Sequence, residues 1–141
     1  MIQGDVRECS WLEDITGSAS AIVVMEGVSM YLSNEQMQKL LSSLGKYFTS
    51  LSVLVDCYTP FGAKMSKIKN PINEVGKIQV YGIESPQVLE QNTSLCFKKE
   101  YELTPSYLID ELKGLEKKIF KFVFAGKTSK KIYKLYEYES K

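Results

Sequence analysis

A chain of 141 residues with 44% hydrophobic content is long enough for one core and too short for two, so residues 1–141 are read as a single domain. Its 18 basic and 17 acidic residues nearly cancel, and Arg7 is the one arginine; neither a polyanion-seeking field nor the guanidinium favoured for phosphate and base contacts is present, which argues against nucleic acid as a partner. Histidine is absent, which removes Ser-His and Cys-His pairs, imidazole bases and the common zinc sites, so no metal site is expected.

The cysteines, Cys9, Cys57 and Cys96, are odd in number and scattered, and form neither a disulfide framework nor a metal-binding pair; a reducing, cytoplasmic setting suits them. The apolar runs fall far short of the roughly 20 residues of a membrane span. Asp5 and Glu8 stand where a leader would be apolar, so no membrane segment is expected.

In chain order, Met1 to Ile15 reads as a loop opening on Gly4-Asp5-Val6-Arg7 and passing into a short helix, with Ser10 as its cap. Ala21 to Met25 is short, β-branched and apolar on both faces, as suits a central parallel strand covered by helices on either side. It ends at Glu26-Gly27. Ser33-Asn34-Glu35-Gln36 has capping-box spacing, and Met37, Leu40, Leu41, Leu44 and Phe48 recur as one helical face. Leu51 to Asp56 is a second buried-type strand ended by an acid, which makes a strand, helix, strand crossover.

Pro60 to Tyr81 is a long Pro, Gly and Asn punctuated segment with room for one short helix over Lys64 to Lys69, and is read as a lid. Ser85-Pro86 starts a helix through Leu89 and Gln91, and Leu95 to Leu103 is a strand. Thr104-Pro105 opens another helix. Leu115 to Ala125 is helical, and Lys130 to Tyr138 is a closing strand whose lysines and aromatics read as a solvated surface and a sheet edge rather than as a binding face.

Two positions carry chemistry. The Asp5 carboxylate is either part of a surface turn or a contact to a ligand hydroxyl or amine, with Val6 as an apolar surface for a ring. Glu26 lies where open α/β sheets present their ligand crevice, so an acid there either meets a ligand or caps a neighbouring helix; burial would oblige it to find a partner. Tyr31 and Tyr58 are candidate walls of the same crevice, although an aromatic near a helix start more often staples the chain to the core.

Asp5-Val6-Arg7 with Ser10-Trp11-Leu12, then Met25-Glu26-Gly27-Val28-Ser29-Met30-Tyr31-Leu32, and finally Val80-Tyr81-Gly82-Ile83-Glu84-Ser85-Pro86 resemble the second half of the leucine carboxyl methyltransferase family, in its branch of polyketide O-methyltransferases. The resemblance implies an α/β chain with a partial Rossmann-like, S-adenosylmethionine-dependent methyltransferase fold, mostly parallel with an antiparallel last strand. It also implies that Asp5, Val6 and Glu26 are cofactor residues, with Trp11, Tyr31 and Tyr58 as lesser candidates for walls of the crevice. The substrate implied is a carboxylic acid, either a small molecule or a protein C-terminus, and no catalytic residue is named by the match.

The glycine-rich turn after the first strand of that fold, and the acid after its second, are not in this sequence. The N-terminal strands are therefore expected to be missing, through truncation, a misassigned start or division of the domain. Such a chain should bind S-adenosylmethionine weakly or not at all on its own. The competing expectation is a non-catalytic remnant that associates through an exposed sheet edge, with a second copy or with a separate N-terminal half.

Overall fold

A computed structural model describes residues 2–16, 19–66, 79–102, 106–123 and 131–141 of the chain. A 3-10 helix, Ser10–Asp14, comes first, and its cap position is Cys9 in the left-handed region at φ 58 rather than Ser10. Strand β1 (Ser20–Met25) leads through a second 3-10 turn, Ser29–Tyr31, into helix α1 (Asn34–Tyr47). Strand β2 (Ser50–Tyr58), helix α2 (Pro60–Ser66), helix α3 (Gln87–Glu90) and strand β3 (Leu95–Tyr101) follow. Helices α4 (Ser106–Glu111) and α5 (Gly114–Val123) and strand β4 (Tyr133–Ser140) complete the described chain.

Helix α1 starts where it does because the capping box forms in full. The Gln36 amide donates to Ser33 Oγ at 3.3 Å and the Ser33 amide to Gln36 Oε1 at 2.8 Å, so two end amides that lack helical partners are satisfied. Past that cap Met37, Leu40, Leu41 and Leu44 all face inward, and Phe48 closes the face as the helix ends.

The strands lie in the order β1-β2-β4-β3. β1 and β2 are parallel, with α1 as the connection between them, and Met25 pairs with Val55 at their C-terminal ends. β4 runs antiparallel to both β2 and β3, so β1, β2 and β3 share one direction and the last strand, inserted between β2 and β3, opposes them. The architecture is thus mixed α/β.

The core lies on one face of this sheet. Val53 and Val55 of β2 and Tyr138 of β4 are fully buried against Met37 and Leu41 of α1. Phe97 of β3 meets Tyr136 and Tyr138 edge to face, at centroid distances of 5.6 and 5.9 Å, the arrangement preferred by ring quadrupoles. Tyr138 keeps its hydroxyl satisfied by donating to the Pro86 carbonyl at 2.9 Å, which ties the start of α3 to the sheet. A register shift between Phe97 and Lys99 bulges β3; that extra residue lets Phe97 enter the core while Tyr101 turns to the opposite face and donates to Glu137 at 2.7 Å.

The opposite face is not covered as the apolar composition of β1 leads one to expect. Ile22 is 81% exposed and Val24 64%, and with Leu54, Tyr101, Leu135 and Glu137 they line a shallow cavity of about 320 Å³. Among the described strands β1 is the outermost on this side. Most of the segment expected to form a lid, residues 67–78, and the Thr104-Pro105 helix start lie outside the described residues.

Candidate functional site

Because β1 and β2 are parallel neighbours in register, their C-terminal ends emerge together; Glu26 follows β1, and β2 carries Asp56 two residues before its end rather than closing on it. The two acids differ sharply. Glu26 is exposed, and among the described residues nothing pairs with it. Asp56 is 5% exposed and is the carboxylate that the fold has buried. The burial expected of the strand-end acid thus belongs to Asp56, because the turn after β1 folds over Asp56 and leaves Glu26 outside.

Asp56 is fully engaged. The Gly27 amide donates to both carboxylate oxygens, at 2.8 and 3.0 Å. The Tyr133 hydroxyl donates to Oδ2, and the Ser29 hydroxyl donates to the Asp56 backbone carbonyl. Gly27 sits at φ 68, in the left-handed region, which is how the chain turns sharply enough to aim its amide back at β2. Ser29, 2% exposed, follows in the 3-10 turn. A buried carboxylate is tolerable only with such compensation.

Tyrosines surround this cluster. Tyr58 meets Tyr133 edge to face at 5.3 Å. Burial, and next the Asp56 hydrogen bond, push the Tyr133 phenol well above its ordinary value, so it stays a neutral donor. Tyr31 is 41% exposed on the 3-10 turn after Glu26. Two backbone bonds, Tyr81 to the Met30 carbonyl at 2.9 Å and Ile83 to the Tyr58 carbonyl at 2.8 Å, lay residues 81–83 along the same strand ends. The neighbouring Cys57 is no nucleophile: burial, and then the Asp56 charge, push its thiol up to about 12.

The N-terminal residues form a second region. Val6 and Trp11 come together on an apolar cavity of about 480 Å³ with Ile2, Gly4 and Ile15. Trp11 packs on the core, and its buried indole Nε1 has no hydrogen-bond partner. Asp5, by contrast, is engaged by its neighbour. Arg7 Nε donates to Oδ1 at 2.9 Å and to Oδ2 at 3.0 Å, and Arg7 NH2 to Oδ2 at 2.5 Å. These bonds, with the Arg7 amide at 2.9 Å, draw the exposed Asp5 carboxyl down to about 2.

The structure therefore joins Val6 to Trp11 and groups Glu26 and Tyr58 with a buried cluster that the motifs did not single out. Asp56 was visible as a strand-ending acid. Ser29 carried no signal beyond its place two residues after Gly27, and nothing near Tyr133 in sequence announces its partner. Among the described residues no group of three or more His, Cys, Asp or Glu side chains is placed to hold a metal ion, and no helix is long and apolar enough to cross a membrane.

No protein-family profile matches the chain. Its sequence is similar to the tetracenomycin polyketide synthesis O-methyltransferase TcmP of Streptomyces glaucescens, with 24% identity over 118 residues, covering 83% of this chain and 44% of that protein. The chain thus spans less than half the length of this relative, a distant similarity that relates it to a methyltransferase.

Proposed function

We propose that the chain supplies the C-terminal part of an S-adenosylmethionine-dependent O-methyltransferase of partial Rossmann-like fold, acting on a carboxylate of a small acid or of a protein C-terminus. The observation that carries this reading is the similarity to a polyketide O-methyltransferase. The sheet supports it: the C-terminal ends of parallel β1 and β2 are where α/β folds take their ligands, and Glu26, unpaired among the described residues, stands there.

The residues present suit parts of such a cofactor. The cavity lined by Val6 and Trp11 is apolar, as a purine ring needs. Glu26 is an exposed carboxylate suited to an ammonium group. Asp5 fits less directly, since a ligand hydroxyl must share it with Arg7. Tyr31 and Tyr58 would flank the acceptor.

When bound, the cofactor supplies an electrophilic methyl group. A carboxylate acceptor is already ionised near neutral pH, so this chain need provide no general base, in keeping with its lack of histidine. Its work is to hold, orient and exclude water. Asp56 is engaged by donors of its own chain, and Cys57 is held as a thiol.

The free edge of β1 and the apolar face beside it would seat the remainder of such a domain, provided by further polypeptide, whether a separate N-terminal half or a second copy. On this reading the chain alone binds S-adenosylmethionine weakly. Trp11 is the sole tryptophan, so its fluorescence reports directly on the cavity. Titration with S-adenosylmethionine should quench it with a dissociation constant in the range of about 0.1 mM or weaker, and Glu26→Gln should weaken it further. No response, or a response that Glu26→Gln leaves unchanged, overturns the assignment. The second reading, a non-catalytic module that associates by its sheet edge, is favoured instead if the chain oligomerises and no ligand response is found.

A further inference from the structure

We infer that Asp56 is a positioning residue, holding the Gly27 turn with Tyr133 and Ser29 so that Glu26 is fixed at the strand end facing a cationic ligand group. The inference rests on the reading of Glu26 as a cofactor contact and adds the device that aims it.

Four hydrogen bonds from three residues in two parts of the chain converge on a single residue. The turn after β1 contributes the Gly27 amide to both carboxylate oxygens, and also the Ser29 hydroxyl to the Asp56 carbonyl. β4 contributes the Tyr133 hydroxyl. A turn that has left its strand and stands one residue beyond an exposed acid would otherwise be free to wander. Here it is bonded at Gly27 and again at Ser29, leaving Glu26 held between the end of β1 and a fixed amide.

The chemistry asks for a carboxylate rather than any polar side chain. Both side-chain partners, an amide N–H and a phenol O–H, are donors, so an acceptor is needed at both oxygens. An asparagine would have to turn its own NH2 toward one of them. Tyr133 is held neutral by burial and by this same bond, which keeps it a donor. Among the described residues no lysine or arginine pairs with Glu26 or Asp56, and the two carboxylates place a negative field at the strand end. That field suits an ammonium or sulfonium and repels an anion.

The test uses the full chain, Asp56→Asn, Glu26→Gln and the double variant, with two readouts. The first is amide hydrogen exchange at Gly27, followed by NMR without ligand. Asp56→Asn should accelerate it by about tenfold or more relative to Leu41 in α1, the loss expected for a charge-assisted bond. The second is S-adenosylmethionine affinity, read by chemical-shift changes over residues 26–29. Asp56→Asn should weaken it roughly fivefold in the wild-type background but less than about twofold when Glu26 is already glutamine.

Unchanged Gly27 exchange overturns the clamp. Penalties that multiply in the double variant overturn action through Glu26 and leave Asp56 a general structural residue. If the wild type shows clamp protection but no shift change at millimolar S-adenosylmethionine, the cofactor reading fails while the clamp stands as the device that sets the turn. Should Asp56→Asn not fold, Tyr133→Phe removes one donor and keeps the carboxylate, and the same two readouts apply with smaller changes in the same directions.

Discussion

Tyr133 and Asp56 lie 77 positions apart in the chain and share a hydrogen bond across the β2 and β4 ladder. The bond solvates a buried carboxylate from within. Tyr133→Phe keeps the ring and its contact with Tyr58 and deletes only the donor. Since hydrogen bonds to charged groups are worth about 1.5–3 kcal/mol, urea denaturation should show a loss in that range. Tyr101→Phe deletes an exposed bond to Glu137 and should cost under about 0.5 kcal/mol, which makes it the internal control.

Ser33 offers a local counterpart. Its hydroxyl accepts the Gln36 amide and it also donates to Glu35 Oε2 at 2.7 Å. Ser33→Ala leaves an end amide to water and should cost about 1 kcal/mol in the same urea assay. Ser33→Asp retains an acceptor and should recover most of that loss.

The contrast between these two residues marks what was legible in the sequence. Helix α1 is specified by signals within a few positions, the capping box and the Met37 to Phe48 periodicity, so its start and its buried face were both readable. The strand, helix, strand unit follows from it. The burial of Asp56 rather than Glu26 was not readable. It depends on the turn at Gly27 and on β4 arriving between β2 and β3, an event of long range that no local spacing encodes. β1 shows the same limit from the other side. Its apolar residues on both faces implied two covered faces, whereas Ile22 and Val24 are exposed. For the site, Val6 and Trp11 were chosen by resemblance, and the structure places them on one cavity. Tyr133 and Ser29 had no spacing motif to expose them.

Titration of the buried side chains gives an alkaline limit to stability. Burial raises the Cys57 thiol from 9.0 to about 12 and the Tyr136 phenol from 10.0 to about 12, and Tyr138 moves in the same direction. Each group's folded-state pKa lies above its unfolded value, so between the two the native state holds the proton that the unfolded chain has lost. The stabilisation is complete below the unfolded values and declines as pH rises, from about 9 for Cys57 and about 10 for the tyrosines, at roughly 1 kcal/mol per pH unit per group. Thermal melts between pH 8 and 11.5 should fall progressively more steeply. Cys57→Ser should move the onset of the fall toward pH 10, and an unchanged onset would show that the thiol is not protected in this way.

The uncovered face leads to the last expectation. Ile22 and Val24 project from an edge strand that carries no charge from Ser20 to Met25, whereas β3, at the other edge, carries Lys98, Lys99 and Glu100. Charged side chains on an edge strand discourage pairing with another chain, and an uncharged apolar edge invites it. A pairing partner would gain at once the backbone edge of β1, which no described strand flanks on that side, and the apolar surface beside it. Ile22→Lys and Val24→Lys place charge on this face without filling or emptying the core, so stability should change by less than about 0.5 kcal/mol. In light scattering over a concentration series, the wild type should exceed the 16.0 kDa of one chain and both variants should return to it. A wild type that remains at that mass throughout would show that the β1 edge does not self-associate, and would direct the search for its occupant to a different polypeptide.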